Sequence, residues 1–531
     1  MGMTKRPEVH ILPDGSKCWE NTYDSFHLKS YIPTSPVNGY INNYTFRSPL
    51  LLVFEEHKQS MESAVSFANA SGLAEIAAAT NSSVLFVHPT CEGGWQNADE
   101  TLYASVIAEV KMDPRYQDGI VKMEDFFTGA FRGYFIQGAK FRADIYSFGA
   151  SADYVATHLL KAVQGDYLWG PGDITPAMCS MENLSVIPNL QRNDIAILSV
   201  GNNDAVNEAL RDCEYLLIKQ EADYKNDFYS FVRKYKRWCG IIEFEPDFDE
   251  MHMTEEAGCI SVPVSKDNRN DFGGASHHDV GYFAYYNHNL FSGGPVPLVL
   301  GFHGGGDSSM YLTFVAEWYK IAHKYGFLFV SLENHQFVTA TEVIDLLAEL
   351  KKRYSIDETR IYATGFSMGS CKTWELFQEY PSHFAAFAPA SALFPVKDNP
   401  LAQSHGDYFN TEVSVPIFYS GGEASHLTEL PFQGIDGLDR VKYAAQVNKC
   451  NTTFDLSFED KENWPDPIFG IAGDRVEKIY DPTRDSTLTI HYYDSADGVC
   501  RTAFASVSGQ VHECRHHTCE NAWKFISQFT K

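Results

Sequence analysis

At 531 residues the chain exceeds what one ordinary hydrophobic core supports, and it divides most simply into two domains of roughly 250 residues each. Asp plus Glu 69 against Lys plus Arg 42 leaves a net charge of −27, which repels nucleic acid and anionic membranes. No run of about 18 apolar residues could span a bilayer, the N-terminal MGMTKRPEVHILPDGSK lacks a signal peptide's apolar core, and the eleven scattered cysteines suit a reducing compartment, so a cytoplasmic location is expected.

Residues 21 to 50 alternate apolar and polar groups around turn residues, which predicts a β-hairpin. Pro49 to Phe54 (PLLLVF) reads as a buried strand, SFANASGLAEIAAA as a helix, and Val84 to Val87 as a second strand. Strands alternating with helices imply a parallel sheet with helices on both faces. The same order recurs later. Pro297 to Phe302 matches the first strand, Phe327 to Val330 the second, and Val415 to Phe418 matches Ile195 to Leu198. Tyr146–Ser151 lines up with Tyr362–Ser367, so the first half reads as a worn tandem copy of the second.

That first copy lacks the groups chemistry needs. Glu55–Glu56–His57–Lys58 stands where the second half has His303–Gly304–Gly305–Gly306. Its serine turn is read as Gly149–Ala150–Ser151–Ala152–Asp153, and Asp204 sits well for an acid. No histidine follows Asp204 through FYSFVRKYKRW, taken as that domain's last helix, so Ser151 would stay a weak nucleophile. Residues 1–245 are therefore expected to be a degenerate, non-catalytic domain, and residues 246–531 the catalytic one. An acidic, proline-bearing stretch near residues 240 to 255 serves as the connection. His277 and His278 have no acidic or cysteine partner at ligand spacing and read as a solvated loop.

In the second half, Gly304 and Gly305 follow the strand PLVLGF, and glycines there let backbone N–H groups face a reacting carbonyl. Ile361–Tyr362–Ala363 fits a strand end, Gly365–Phe366–Ser367–Met368–Gly369 makes a G-x-S-x-G turn, and CKTWELFQEY continues as a helix. A serine at such a strand-to-helix turn has its hydroxyl pushed clear of the sheet, with the helix N-terminus behind it. After the strand Val415 to Tyr419 comes SGGEASHLTELP, in which Glu423 is the nearest carboxylate and Glu429 an alternative. Asp204 in the first copy corresponds to Ala424, one position later than Glu423. Residues 436 to 485, rich in Asp, Pro and aromatics, read as an insertion shaping a cleft. Near the C-terminus, TAFASVSG reads as a strand and ENAWKFISQF as a helix, with His512, His516 and His517 between or beside them. Cys514, His516, His517 and Cys519 crowd six residues with no second cluster, which argues against a metal site.

LVLGFHGGGDSS, IDETRIYATGFSMGS, FAAFAPASALF and His512 with AWKFISQF resemble the esterases related to polyhydroxybutyrate depolymerase and feruloyl esterase, within the α/β-hydrolase superfamily. The resemblance covers roughly residues 260 to 531, and the first half more weakly. It implies tandem α/β-hydrolase domains and serine-dependent hydrolysis of a small or oligomeric carboxylic ester without a cofactor or metal. Similar esterases carry the base about three helical turns' worth of residues before the tryptophan of the last helix, and His512 holds that spacing to Trp523. The implied machinery is Ser367 as nucleophile, His512 as base, Glu423 as acid, and an oxyanion hole from Met368 with Gly304 or Gly305. Two other classes share these motifs: a serine peptidase on the same fold, and a binding protein with relic hydrolase motifs.

Overall fold

The computed structural model describes residues 8–34, 49–80, 82–111, 139–167, 170–227, 235–238, 241–244, 246, 248–270, 272–305, 309, 311–333, 335–392 and 409–531. The chain forms two compact units, Met1–Pro246 and Asp247–Lys531. Among the described residues no helix is long and apolar enough to cross a membrane.

The second unit is built on a ten-stranded sheet. Its strands lie in the order Met253–Pro263, His277–Asn287, Leu328–Leu332, Val296–Phe302, Ile356–Phe366, Ala386–Ala390, Ile417–Gly422, Cys500–Val507, Ser486–Asp494 and Arg475–Asp481. The first two form an antiparallel hairpin, and the six from Leu328–Leu332 to Cys500–Val507 run parallel. Parallel strands covered on both faces must be apolar throughout, and every residue of Val296–Phe302 is buried. The crossover helix Ala340–Arg353 shows why its sequence stops and starts where it does. Thr339 caps it in a reciprocal capping box with Glu342, Lys351, Lys352 and Arg353 complement the dipole at its end, and Val343, Leu346, Leu347 and Leu350 face the core.

The first unit repeats this plan in a nine-stranded sheet. The order is His10–Ile11, Lys17–Thr22, Phe26–Ile32, Val84–Pro89, Pro49–Phe54, Ala139–Phe148, Met178–Glu182, Ala196–Val200 and Leu216–Lys219. Again a hairpin strand, Phe26–Ile32, lies antiparallel to both neighbours, and the strands beyond it are parallel. In each unit the strand formed earlier in the chain sits inside the later one: Pro49–Phe54 inside Val84–Pro89, and Val296–Phe302 inside Leu328–Leu332. Both sheets thus have the tandem α/β organisation expected from the repeated strand pattern.

Several local expectations change. The hairpin pairs Lys17–Thr22 with Phe26–Ile32, earlier than the stretch 21 to 50 suggested, and residues 35–48 lie outside the described residues. SFANASGLAEIAAA is two helices, Met61–Ala70 and Leu73–Thr80, broken where Gly72 adopts a positive φ of 80°. Of the segment read as a last helix in the first unit, Tyr235–Trp238 is a strand paired with Ile241–Phe244, and residues 228–234 lie outside the described residues. His277 and His278 open a strand; His278 is buried, stacks on Phe272, and its Nε2 lies 3.1 Å from Glu342. The first part of the stretch read as an insertion is a core element. Helix Ile435–Val447 buries Leu438, Val441, Ala444 and Val447 as the crossover between two parallel strands.

Candidate active site

The turn after Ile356–Phe366 sets the site. Ser367 has φ 56° and ψ −115°, and its N–H donates to the Ala390 carbonyl at 3.1 Å. A non-glycine residue in that region is strained by about 1–3 kcal/mol and is held only where its surroundings dictate it. Here the flanking glycines make the turn possible. A Cβ on Gly365 would sit 2.1 Å from the Gly369 carbonyl oxygen, and one on Gly369 would sit 1.9 Å from that of Phe302. The chain then enters helix Met368–Glu379, whose first N–H groups lack intrahelical partners.

His512 comes from the loop between strand Cys500–Val507 and helix His516–Ile526. Its Nε2 lies 2.9 Å from Ser367 Oγ, and its Nδ1 lies 2.6 Å from Glu429 Oε1. An ionised carboxylate only accepts, so Nδ1 carries the proton and Nε2 is left to accept the serine hydroxyl proton. The Phe366 ring packs against the imidazole with centroids 4.8 Å apart. Among the clustered histidines, His512 alone meets Ser367; His516 faces Glu317 at 3.5 Å. Burial pushes the pKa of His517 below its ordinary value, with Asp481 as a counteracting neighbour.

The acid beside His512 is Glu429, not Glu423. Glu423 continues the ladder one residue beyond Ile417–Gly422, with its N–H on the Val507 carbonyl at 3.0 Å. That backbone fixes its side chain beside strand Cys500–Val507, where its carboxylate accepts from Ser506 Oγ at 2.7 Å. Glu429 lies on the loop that returns to the site and is fully buried. The Gly422 N–H at 2.7 Å, Ser425 Oγ at 2.6 Å and His512 Nδ1 share its two oxygens. Gln433 accepts from the N–H groups of Glu429 and Leu430, which fixes the loop itself. The sequence held no periodic signal for this, because the reach is set by a loop conformation that two polar side chains impose.

Gly304 lies against the nucleophile. A Cβ there would stand 3.0 Å from the Phe366 ring and 3.5 Å from Ser367 Cβ, a tight fit that the Phe366 ring would have to relax to admit. Gly305 follows as a half-buried turn residue, and Gly306 lies outside the described residues. Two buried histidines, invisible as a pair in the sequence, hold the glycine loop from behind. His335 Nε2–H donates to the His303 carbonyl at 2.6 Å, and the rings meet edge to face at 4.5 Å. His303 lies 2.7 Å from both the Glu333 and Gly304 carbonyls. Burial lowers the pKa of both rings, and in His303 the two carbonyl contacts counteract it. Among the described residues, no three His, Cys, Asp or Glu side chains gather as metal ligands.

The first unit shows the same turn without the nucleophile, and the match lies two residues from where the sequence placed it. Strand pairing sets Phe302 opposite Gly365 and Phe54 opposite Ser147, which puts Gly149 at the position of Ser367. Gly149 has φ 56° and ψ −127°, close to the Ser367 values. Ser151 instead occupies the position of Gly369. It is buried, with Oγ 2.7 Å from the Phe54 carbonyl, the counterpart of the Phe302 carbonyl that Gly369 approaches. The Glu56 carboxylate fills the space where a side chain on Gly149 would project: a Cβ there would be 2.1 Å from Oε1. Glu55 is buried in an ion pair with Lys29 at 2.6 Å, and Asp204 is an exposed residue in the first turn of a short helix.

Sheet order, the strained turn and the Ser–His–Glu line define an α/β-hydrolase fold carrying a serine-hydrolase arrangement in its second unit. No family model matches the chain. A bifunctional acetylxylan esterase/xylanase of Neocallimastix patriciarum is 25% identical over 243 residues, which is 44% of this chain and 31% of that protein. The chain thus spans about a third of the length of that curated relative. Among solved structures, an acetyl xylan esterase from Aspergillus awamori has 15% identity and a TM-score of 0.31, covering 51% of this chain and 99% of that one. A ferulic acid esterase has 12% identity and a TM-score of 0.28, covering 36% and 88%. An S-formylglutathione hydrolase from Agrobacterium tumefaciens has 14% identity and a TM-score of 0.25, covering 33% and 78%.

Proposed function

We propose that the second unit is a serine-dependent carboxylic ester hydrolase and that the first unit is non-catalytic. The unbroken hydrogen-bonded line from Ser367 through His512 to Glu429 carries this reading. His512 Nε2 takes the Ser367 proton as Oγ attacks the ester carbonyl, and Glu429 stabilises the imidazolium that forms. The N–H of Met368 and that of Gly304 or Gly305 receive the tetrahedral oxyanion, donors of a kind worth about 3 kcal/mol each. His512 then protonates the leaving alcohol, and water repeats the sequence on the acyl-enzyme.

Esters of plant cell-wall polysaccharides are the first substrates to test, because the relative just described is named as an acetylxylan esterase. Feruloyl esters and hydroxyalkanoate oligomers, which the sequence motifs imply, come next. Fluorophosphonate labelling followed by peptide mapping should mark Ser367, and acetylated xylan, feruloyl esters, hydroxyalkanoate oligomers and peptide anilides should be compared as substrates. Labelling elsewhere, or turnover of anilides alone, would overturn the reading.

A further inference from the structure

The loop that carries His512 ends in two sulfur atoms in contact. Cys514 Sγ and Cys519 Sγ lie 3.3 Å apart, with the residues 4% and 3% exposed. Their meeting follows from local geometry. Arg515 is the N-cap of helix His516–Ile526, and Cys519 sits in its first turn with its N–H on the Arg515 carbonyl at 3.0 Å. Helical side chains lean back toward the N-terminus, which aims the Cys519 sulfur at the preceding loop. Cys514 stands in that loop, two residues beyond His512.

The loop is held at several points: the Ala424 N–H donates to the Gln510 carbonyl at 2.9 Å, Ser391 Oγ donates to the Glu513 carbonyl at 3.4 Å, and His512 meets Ser367 and Glu429. Val511 is 51% exposed, and the segment is tied by the Gln510 amide on the Glu513 carbonyl at 3.0 Å and by Arg515 bonding to Glu513 and to Ser486 at 3.2 Å. The buried contact between the two thiols joins this loop directly to the last helix. The sulfurs would have to close from 3.3 Å to about 2.0 Å to form a disulfide bond.

We propose that Cys514 and Cys519 are a disulfide-forming pair that clamps the His512 loop to the C-terminal helix. The oxidant is a small-molecule disulfide of the glutathione class. One protein thiol gives up its proton and attacks a sulfur of the oxidant, releasing one small thiol and leaving a mixed disulfide. The other protein thiol gives up its proton and displaces the second small thiol, so two S–H bonds and one S–S bond become one protein S–S bond and two small thiols. The bond removes freedom from the segment that positions the base, so the oxidised protein loses its competent site more slowly on heating.

Only the activity arm of the test depends on the hydrolase reading. Full-length protein is equilibrated in glutathione mixtures of increasing oxidised fraction, quenched by alkylation, and mapped by non-reducing proteolysis. The expected product is an internal 514–519 linkage that reduction reverses and that Cys514→Ser and Cys519→Ser each remove. Fluorophosphonate labelling and ester turnover are then followed during heating. The oxidised wild type should inactivate roughly threefold or more slowly than the reduced protein, a difference Cys514→Ser should lack. Cys514 and Cys519 remaining alkylatable in the most oxidising mixture, or pairing with other cysteines, would overturn the proposal. A linkage without slower inactivation would overturn the clamp. A linkage in a protein that neither labels nor turns over esters would leave the pair standing and remove the hydrolase reading.

Discussion

Replacing Glu429 by glutamine keeps the side chain's size and tests the site most sharply. The carboxylate oxygens serve three donors: Gly422 N–H, Ser425 Oγ–H and His512 Nδ1–H. An amide offers one oxygen and one NH2. If the NH2 faced Gly422, two donors would oppose each other in a fully buried place, so the oxygen stays there and the NH2 turns to Nδ1. The imidazole must then accept at Nδ1 and carry its proton on Nε2, facing Ser367, where it cannot act as a base. The same tautomer exchange in a serine-protease triad lowers kcat about 10⁴-fold, which is about 5 kcal/mol of barrier. Steady-state hydrolysis of p-nitrophenyl acetate should show that loss in kcat with KM little changed, while circular dichroism reports an intact fold. Glu423→Gln, at a carboxylate that accepts from Ser506 Oγ, should stay within about tenfold of wild type. Should Glu423→Gln prove the inactive variant, or Glu429→Gln retain near-normal kcat, the argument from hydrogen bonding fails.

Ser367→Ala should abolish turnover without unfolding the protein. Ser151→Ala should leave kcat within a few-fold and cost about 1 kcal/mol of stability from the lost bond to Phe54, read as a lower urea midpoint; inactivation by Ser151→Ala would give the first unit a catalytic role. Gly369→Ala places a methyl 1.9 Å from the Phe302 carbonyl oxygen, and the expected result is failure to accumulate folded protein or a loss of several kcal/mol; a normal melting curve would show that helix Met368–Glu379 can move away. Burial pushes the Glu342 carboxyl up, but His278, the Ser265 N–H, Asn268 and the Thr339 N–H outweigh it and hold the pKa at about 2, below the ordinary 4.5. A depressed folded pKa contributes stability that is complete above the unfolded value and lost as pH falls from about 4.5 through about 2, up to about 3 kcal/mol. Urea midpoints between those pH values should fall less steeply for Glu342→Gln than for wild type, and parallel slopes would count against the assignment.

The sequence made the central parallel strands legible because fully buried parallel strands must be apolar at every position, as in PLLLVF and PLVLGF, whereas Arg475–Asp481 falls in the stretch read as an insertion. Ser367 is legible because Gly365 and Gly369 beside it face backbone atoms that leave no room for a Cβ. What failed depends on groups distant in the chain. Glu429 reaches His512 through a loop shaped by Ser425 and Gln433, and no local pattern records that reach. The first unit was misaligned by two residues because GAS resembles GFS as letters, while the ladder between Phe54 and Ser147 counts positions by hydrogen bonds. Tyr235–Trp238 was taken for helix because its apolar residues recur at spacings compatible with either state, and pairing with Ile241–Phe244 decides for strand.

The turn in the first unit says something about evolution and engineering together. The backbone angles of Gly149 and Ser367 nearly coincide, so this contortion belongs to the sheet-to-helix joint of both units. Glycine adopts it freely, whereas serine there carries about 1–3 kcal/mol of strain. A lineage that gives up its nucleophile therefore has a downhill path to glycine, and Glu56 can then occupy the vacated space. Retaining serine at 367 is thermodynamically uphill, which makes it a position that selection for stability alone would erase. Thermostabilising libraries made from this protein should accordingly enrich Ser367→Gly among their inactive survivors, and activity must be screened alongside melting temperature to keep the site.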